Sequence, residues 1–143
     1  MNLTHYTNEP LELDPDRTYE QSTMAIKPRG LWVSVDGEYD WVSWCLSEEF
    51  NTTSLAHRTP ISLVPGHNVL VLTTPEELDT FTNKYGGEMT REFLYIDWPR
   101  VAQDYDGLII TPYQWSRRYD LSWYYGWDCA SGCIWNLTVV QIP

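Results

Sequence analysis

The chain predicts an α+β fold, a single domain spanning 1–143 with a mainly antiparallel sheet and short flanking helices. Three observations carry that expectation. Strand-like runs are interspersed with short, well-signalled helices along the whole chain. Hydrophobic residues make up 43% and charged residues 20% of the 143, enough apolar material for a core and too little charge for a disordered acidic tail. Aromatic residues reach 15%, with 8 Trp, and these side chains both favour strands and carry large burial areas.

Asn2 to Thr7 reads as the first strand, and Leu11 to Arg17 as an acidic connection punctuated by proline. Pro28 and Gly30 mark a turn before Leu31-Trp32-Val33-Ser34-Val35, a strand closed by Asp36-Gly37. Asp40 stands at a cap position, and Trp41, Trp44, Cys45 and Glu48 recur behind it at helical spacing, which predicts one short helix with an indole-rich face. His67 to Leu72 is a mostly apolar run of strand length. After it, Thr74 caps a helix, Pro75 suits its first position and Glu77 completes a capping box. Leu78, Phe81 and Tyr85 give that helix its core face, and Gly86-Gly87 ends it.

Phe93 to Ile96 predicts another strand, and Asp97-Trp98-Pro99 opens a short helix through Gln103. Asp106-Gly107 turns into the strand Leu108 to Thr111. Ser131-Gly132 introduces Cys133-Ile134-Trp135, and Val139 to Ile142 is the last strand. Between them lies an aromatic segment, Tyr113 to Tyr125, carrying Arg117 and Arg118. Trp115, Trp123, Trp127 and Trp135 all fall in this last third, where indoles serve either as core or as the lining of a ligand cleft.

Charge and motif content exclude several function classes. With 20 Asp plus Glu against 9 Lys plus Arg, the formal charge of -11 repels phosphate backbones, so a nucleic-acid partner is disfavoured and a basic protein partner favoured. There is no Gly-x-Gly-x-x-Gly, no Gly-x4-Gly-Lys-Ser/Thr loop and no His-Glu-x-x-His. Three cysteines, Cys45, Cys129 and Cys133, are odd in number for a disulfide framework and lack the further ligand pair of a zinc site, so no metal is expected. A Cys–His nucleophile pair stays open. No apolar run reaches the roughly 20 residues of a bilayer helix, and Met1 is followed by polar residues, which together predict a cytoplasmic protein with no membrane association.

Leu3-Thr4-His5-Tyr6-Thr7, then Lys27-Pro28-Arg29-Gly30-Leu31-Trp32-Val33-Ser34 with a helix after it, resemble the opening of the ADP-ribosyltransferase fold. In the diphtheria-toxin-like branch the first strand carries His before a small or hydroxyl residue, and the second reads Gly-Ile/Leu-Tyr-x-Ser/Thr/Ala. Tyr105 to Ile110, Gly132 to Asn136 and Val140-Gln141-Ile142 are similar to the closing strands of such domains. The likeness runs in order along most of the chain, and each motif is short.

The resemblance implies a small ADP-ribosyltransferase-like domain with NAD as substrate and transfer of ADP-ribose to a macromolecular acceptor, by charge a protein. His5, with Tyr6 and Thr7 beside it, would bind the adenosine ribose. Trp32 stands where the family has the tyrosine that stacks on nicotinamide, Gly30 precedes it, and Ser34 lies alongside. Arg29, with Lys27, would face the pyrophosphate. The family's late glutamate is missing: no Glu follows Glu92, and the carboxylates in its place are Asp128 and Asp106. Trp115, Arg117, Trp123 and Trp127 would help to recognise the acceptor. A small transferase of this kind suggests a bacterial or phage effector.

Read without the resemblance, His5 is a surface strand histidine, Trp32 a core tryptophan and Asp128 a turn residue. Two other functions fit the same chain. One is a non-catalytic acidic protein whose clusters at Glu9 to Asp16, Asp36 to Asp40 and Glu76 to Asp79 mimic nucleic acid on a basic partner surface. The other retains the fold and binds NAD without turnover.

Overall fold

In a computed structural model describing Met1 to Pro143, nine strands and three α-helices alternate along the chain. β1 (Leu3–Thr7) and β2 (Leu31–Val35) precede α1 (Trp41–Ser47) and β3 (His57–Leu63). β4 (Val69–Leu72), α2 (Pro75–Tyr85), the hairpin β5 (Gly86–Thr90) and β6 (Phe93–Ile96), and α3 (Trp98–Asp104) form the middle. β7 (Gly107–Ile110), β8 (Ser131–Ile134) and β9 (Val140–Gln141) close it. Seven strands make one sheet in the order β4-β7-β8-β2-β1-β3-β9, antiparallel at every pair except β4 with β7. The protein is therefore α+β with a mainly antiparallel sheet.

Alternation across the strands divides the core into two layers. Leu108 and Ile110 of β7 face one layer with Leu78, Phe81 and Tyr85 of α2 and Trp98 and Val101 of α3. Ile109 faces the other with Leu31, Val33 and Val35 of β2, Ile61 of β3, and Leu137 and Val139. β8 is buried throughout, since it lies between β2 and β7 and contributes Cys133 to the first layer and Ile134 to the second. At Gly132 a Cβ would meet Ile109 Cγ1 at 2.5 Å and the Leu108 carbonyl oxygen at 2.8 Å, so only glycine lets the strands close.

The helix starts follow from side-chain caps. Thr74 Oγ1 accepts from the Glu77 amide at 3.1 Å, and Glu77 Oε1 accepts from the Thr73 amide at 3.0 Å. Asp40 caps α1 by accepting from Ser43, and Asp97 caps α3 by accepting from Arg100. The glycine pair after α2 does more than stop it. Gly86 is extended, at φ -60, and begins β5; a Cβ there would meet the Thr82 carbonyl oxygen at 2.7 Å.

Aromatic rings make up much of the first layer. Trp98, Trp123 and Trp127 are all buried, and they follow one another across it with ring centroids 6.1 Å (Trp98 to Trp123) and 6.3 Å (Trp123 to Trp127) apart. Trp127 then meets Trp32 edge-on at 4.9 Å. The indole series runs from the α3 side of the core to the middle of the sheet.

Candidate functional site

β1 and β2 pair only over Leu3 with Val35 and Thr4 with Ser34. Beyond that point a cleft of about 280 Å³ opens, lined by residues that include His5 and Tyr6 of β1, Trp32 and Ser34 of β2, and Lys27, Trp127 and Asp128. His5 Nδ1 donates to the Trp32 carbonyl oxygen at 2.7 Å. A carbonyl only accepts, so the proton is on Nδ1 and Nε2 is the ring nitrogen left for a ligand. Ser34 Oγ accepts from the Trp41 amide at 3.0 Å, which docks the start of α1 against β2.

The loop before β8 is anchored at Ala130 through both its amide and its carbonyl. The Ala130 amide donates to the Tyr39 carbonyl at 2.8 Å, and the Ala130 carbonyl accepts from the Val35 amide at 3.0 Å. Two residues earlier, Asp128 reaches the cleft with its side chain 28% exposed. Burial pushes its carboxyl above the ordinary aspartate range; the cations Lys27 and Arg118 pull it down, and Glu48 pushes it up again. Lys27 Nζ lies 5.4 Å from the centroid of the Trp32 ring, so the lysine occupies part of the indole environment in the cleft.

Arg118 is buried, 9% exposed, inside a collar of rings. Its guanidinium carbon lies 5.3 to 5.9 Å from the centroids of Trp44, Tyr113, Trp115, Tyr119 and Tyr125. Nη2 stands 3.8 Å from Asp128 Oδ1, and Nη1 donates to Tyr113 Oη at 2.9 Å. Tyr113 Oη in turn donates to the Trp127 carbonyl at 2.6 Å.

Thus His5, Tyr6, Trp32, Ser34, Trp127 and Asp128 come together around one cleft. The remaining residues singled out by the sequence lie elsewhere. Thr7 is at the far end of β1, paired with His57. Arg29 binds the Glu20 carbonyl and Gln21, and Gly30 is required by packing, since a Cβ would meet the Ile134 carbonyl oxygen at 2.5 Å. Asp106 accepts from the Asn68 amide and from Asn136 Nδ2, both at 2.8 Å, and staples the turn into β7. Arg117 grips Asp79 of α2 through two bonds of 2.8 and 2.9 Å. Trp123 is in the core and donates to Thr82 Oγ1, whereas Trp115 is exposed on the Arg118 collar.

The cleft also takes in Cys129, a candidate thiol of the sequence, together with Thr4, Trp41, Asn51, Ser54 and Ser131, to which the sequence assigned no site role. Asn51 adopts a left-handed backbone at φ 50 ahead of a 3-10 turn, a tolerance of asparagine that gives no functional signal by itself. The thiols do not suit nucleophilic work. Burial pushes Cys129 up to about 12 and Cys133 well above the ordinary thiol range, and it raises Cys45 as well, so all three favour the protonated form. No group of three or more His, Cys, Asp or Glu is placed to hold a metal ion, and no helix is long and apolar enough to cross a membrane. No family model, curated protein or solved structure matches the chain.

Proposed function

We propose that the cleft binds NAD and that the protein transfers ADP-ribose to a macromolecular acceptor, with a protein side chain favoured by the charge of -11. The observation that supports this reading is the convergence of His5 from β1, Trp32 and Ser34 from β2, and Asp128 from the loop before β8 on one cleft. A volume of about 280 Å³ sits at the small end of ligand cavities. It suits a nicotinamide-ribose half, with the adenosine end lying outward. Trp32 offers a ring for the nicotinamide, and His5 Nε2 offers a hydrogen-bonding site for a ribose hydroxyl.

In the reaction the bond between ribose C1′ and the nicotinamide nitrogen breaks, and its electron pair leaves with neutral nicotinamide. The acceptor's lone pair forms the new bond to C1′, and its proton passes to solvent or a nearby base. Positive charge develops on the sugar in between, and an ionised Asp128 beside it lowers that barrier. Aspartate stands in for the longer glutamate of the resembled family, so the sugar must approach the loop more closely than in that family.

Nicotinamide release from NAD, followed by chromatography with purified protein in bacterial lysate, tests the proposal. Release above background that is lost in both His5→Ala and Asp128→Asn supports it; no release under any lysate condition overturns it. A second reading, an acidic protein that covers a basic partner surface, is favoured by one observation. Only Asp79 and Asp128 among 20 acidic residues lie within ion-pair distance of a cation, so most of the negative charge is not neutralised within the chain. A strongly salt-dependent complex indifferent to NAD is its signature.

A further inference from the structure

We propose that Arg118 is a positioning residue for Asp128, holding that carboxylate at the rim of the cleft through two separate contacts on one loop. The inference rests on Asp128 being the working carboxylate of the cleft.

A guanidinium stays charged at any accessible pH, and a buried one needs a counter-charge. Arg118 is nine-tenths buried, and Asp128, at 3.8 Å, is the one carboxylate within ion-pair distance. Its neighbour Arg117 is already committed to Asp79. The orientation of Arg118 is not set by the carboxylate. Five aromatic rings within 6 Å fix the guanidinium, and Tyr113 Oη takes one of its donors.

The same Tyr113 hydroxyl bonds the carbonyl of Trp127, the residue immediately before Asp128. Arg118 therefore acts on consecutive residues, reaching the backbone of one through a phenol and the carboxylate of the other directly. A surface ion pair between two free side chains makes no such second attachment. The collar is aromatic and neutral, and the loop beside it carries the negative charge.

The charged groups facing Asp128 are Lys27, Arg118 and Glu48, while the phenol of Tyr113 is raised mainly by burial and the thiol of Cys129 is pushed up to about 12, so both stay neutral. Lys27 comes from a different segment and rests near Trp32. Without Arg118, one flexible cation opposes both burial and Glu48.

The test is a carbon-13 NMR titration of the Asp128 carboxyl, with amide exchange measured at Trp127 to Cys129, in wild type, Arg118→Gln, Arg118→Lys and Tyr113→Phe. In Arg118→Gln the Asp128 midpoint is expected to rise by on the order of one pH unit. The acid limb of nicotinamide release should move up with it. Arg118→Lys should restore most of the midpoint but not the exchange protection, because an ammonium lacks the fork that reaches Tyr113. Tyr113→Phe should leave the midpoint near wild type and speed exchange.

An Asp128 that titrates in Arg118→Gln as it does in wild type overturns the proposal. Should that variant fail to fold, wild-type exchange in both Arg118→Lys and Tyr113→Phe overturns it equally. Expected titrations with no nicotinamide release in any variant would sink the NAD reading and leave the positioning role standing.

Discussion

The imidazole of His5 is bonded to the backbone of Trp32, Nδ1 to carbonyl oxygen at 2.7 Å. A side chain of β1 and the backbone of β2, strands that have stopped pairing with each other at this point, are thereby held as one unit. The bond fixes the ring by its inner nitrogen and leaves the other for recognition.

His5→Ala should lower nicotinamide release by about five- to a hundredfold, the range for one substrate hydrogen bond left unmade at roughly 1–3 kcal/mol. Its melting temperature should fall by only about 3–5 °C, since one net hydrogen bond contributes roughly 1 kcal/mol. Chromatography and a thermal melt on the same sample measure both. Release within threefold of wild type would remove His5 from the site.

Asp128→Asn separates function from stability through pH. Burial raises the folded pKa of Asp128 above its unfolded value, so the stability gained from its protonated form is present at acid pH and is lost as pH rises through the folded pKa. A neutral amide does not suffer that loss. The variant should therefore melt higher than wild type at pH 7, with the difference closing below about pH 3, where aspartate is protonated in both states. It should also release no nicotinamide. A lower melting temperature at pH 7 would mean that Lys27 and Arg118 outweigh burial.

Gly132→Ala places a Cβ 2.5 Å from Ile109 Cγ1 and 2.8 Å from a backbone oxygen in the middle of the sheet. β8 is clamped by β7 and β2 and has little room to retreat. Overpacking of this kind destabilises by about 1–3 kcal/mol. Urea unfolding should show the midpoint falling with the slope unchanged.

Lys27→Met tests what the lysine does beside Trp32. The ammonium lies 5.4 Å from the Trp32 ring, and a stacking ligand must displace it from that neighbourhood. An exposed cation–π contact is worth roughly 0.5–1 kcal/mol, so its loss should tighten nicotinamide binding by about two- to fivefold. Ligand-detected NMR gives the affinity. Weaker binding would mean that Lys27 holds the ligand instead of yielding to it.

Much of the fold was legible because its signals are local. β2 shows its strand composition and closing Asp-Gly, and α2 announces itself by Thr74, Pro75 and Glu77. β3 gives no such signal: His57 to Leu63 contains Pro60 and few apolar residues, and it becomes a strand by pairing with β1. Proline is tolerated there because β9 meets β3 only at Ser62 and Leu63, leaving the other edge unpaired at Pro60. Gly86 read as a helix stop and is also a strand start, a double duty imposed by the Thr82 carbonyl.

The cleft was legible where residue types are tied to a strand and illegible where a loop decides direction. His5, Trp32 and Asp128 stand far apart in sequence and meet because β8 pairs with β2 and β2 with β1. Arg117 and Arg118 are adjacent, yet one turns to α2 and the other to Asp128. That choice is made at the end of a short 3-10 turn, Trp115–Arg117, whose sequence carries no cap signal.

The line of indoles from Trp98 through Trp123 and Trp127 to Trp32 has an optical consequence. Neighbouring rings are 4.9 to 6.3 Å apart, close enough for excitation absorbed by one to hop to the next before it is emitted. Light taken up deep in the core can thus reach the ring at the cleft. A quencher resting on Trp32 dims tryptophans it never touches, so the fluorescence of the whole array becomes a gauge of that single face.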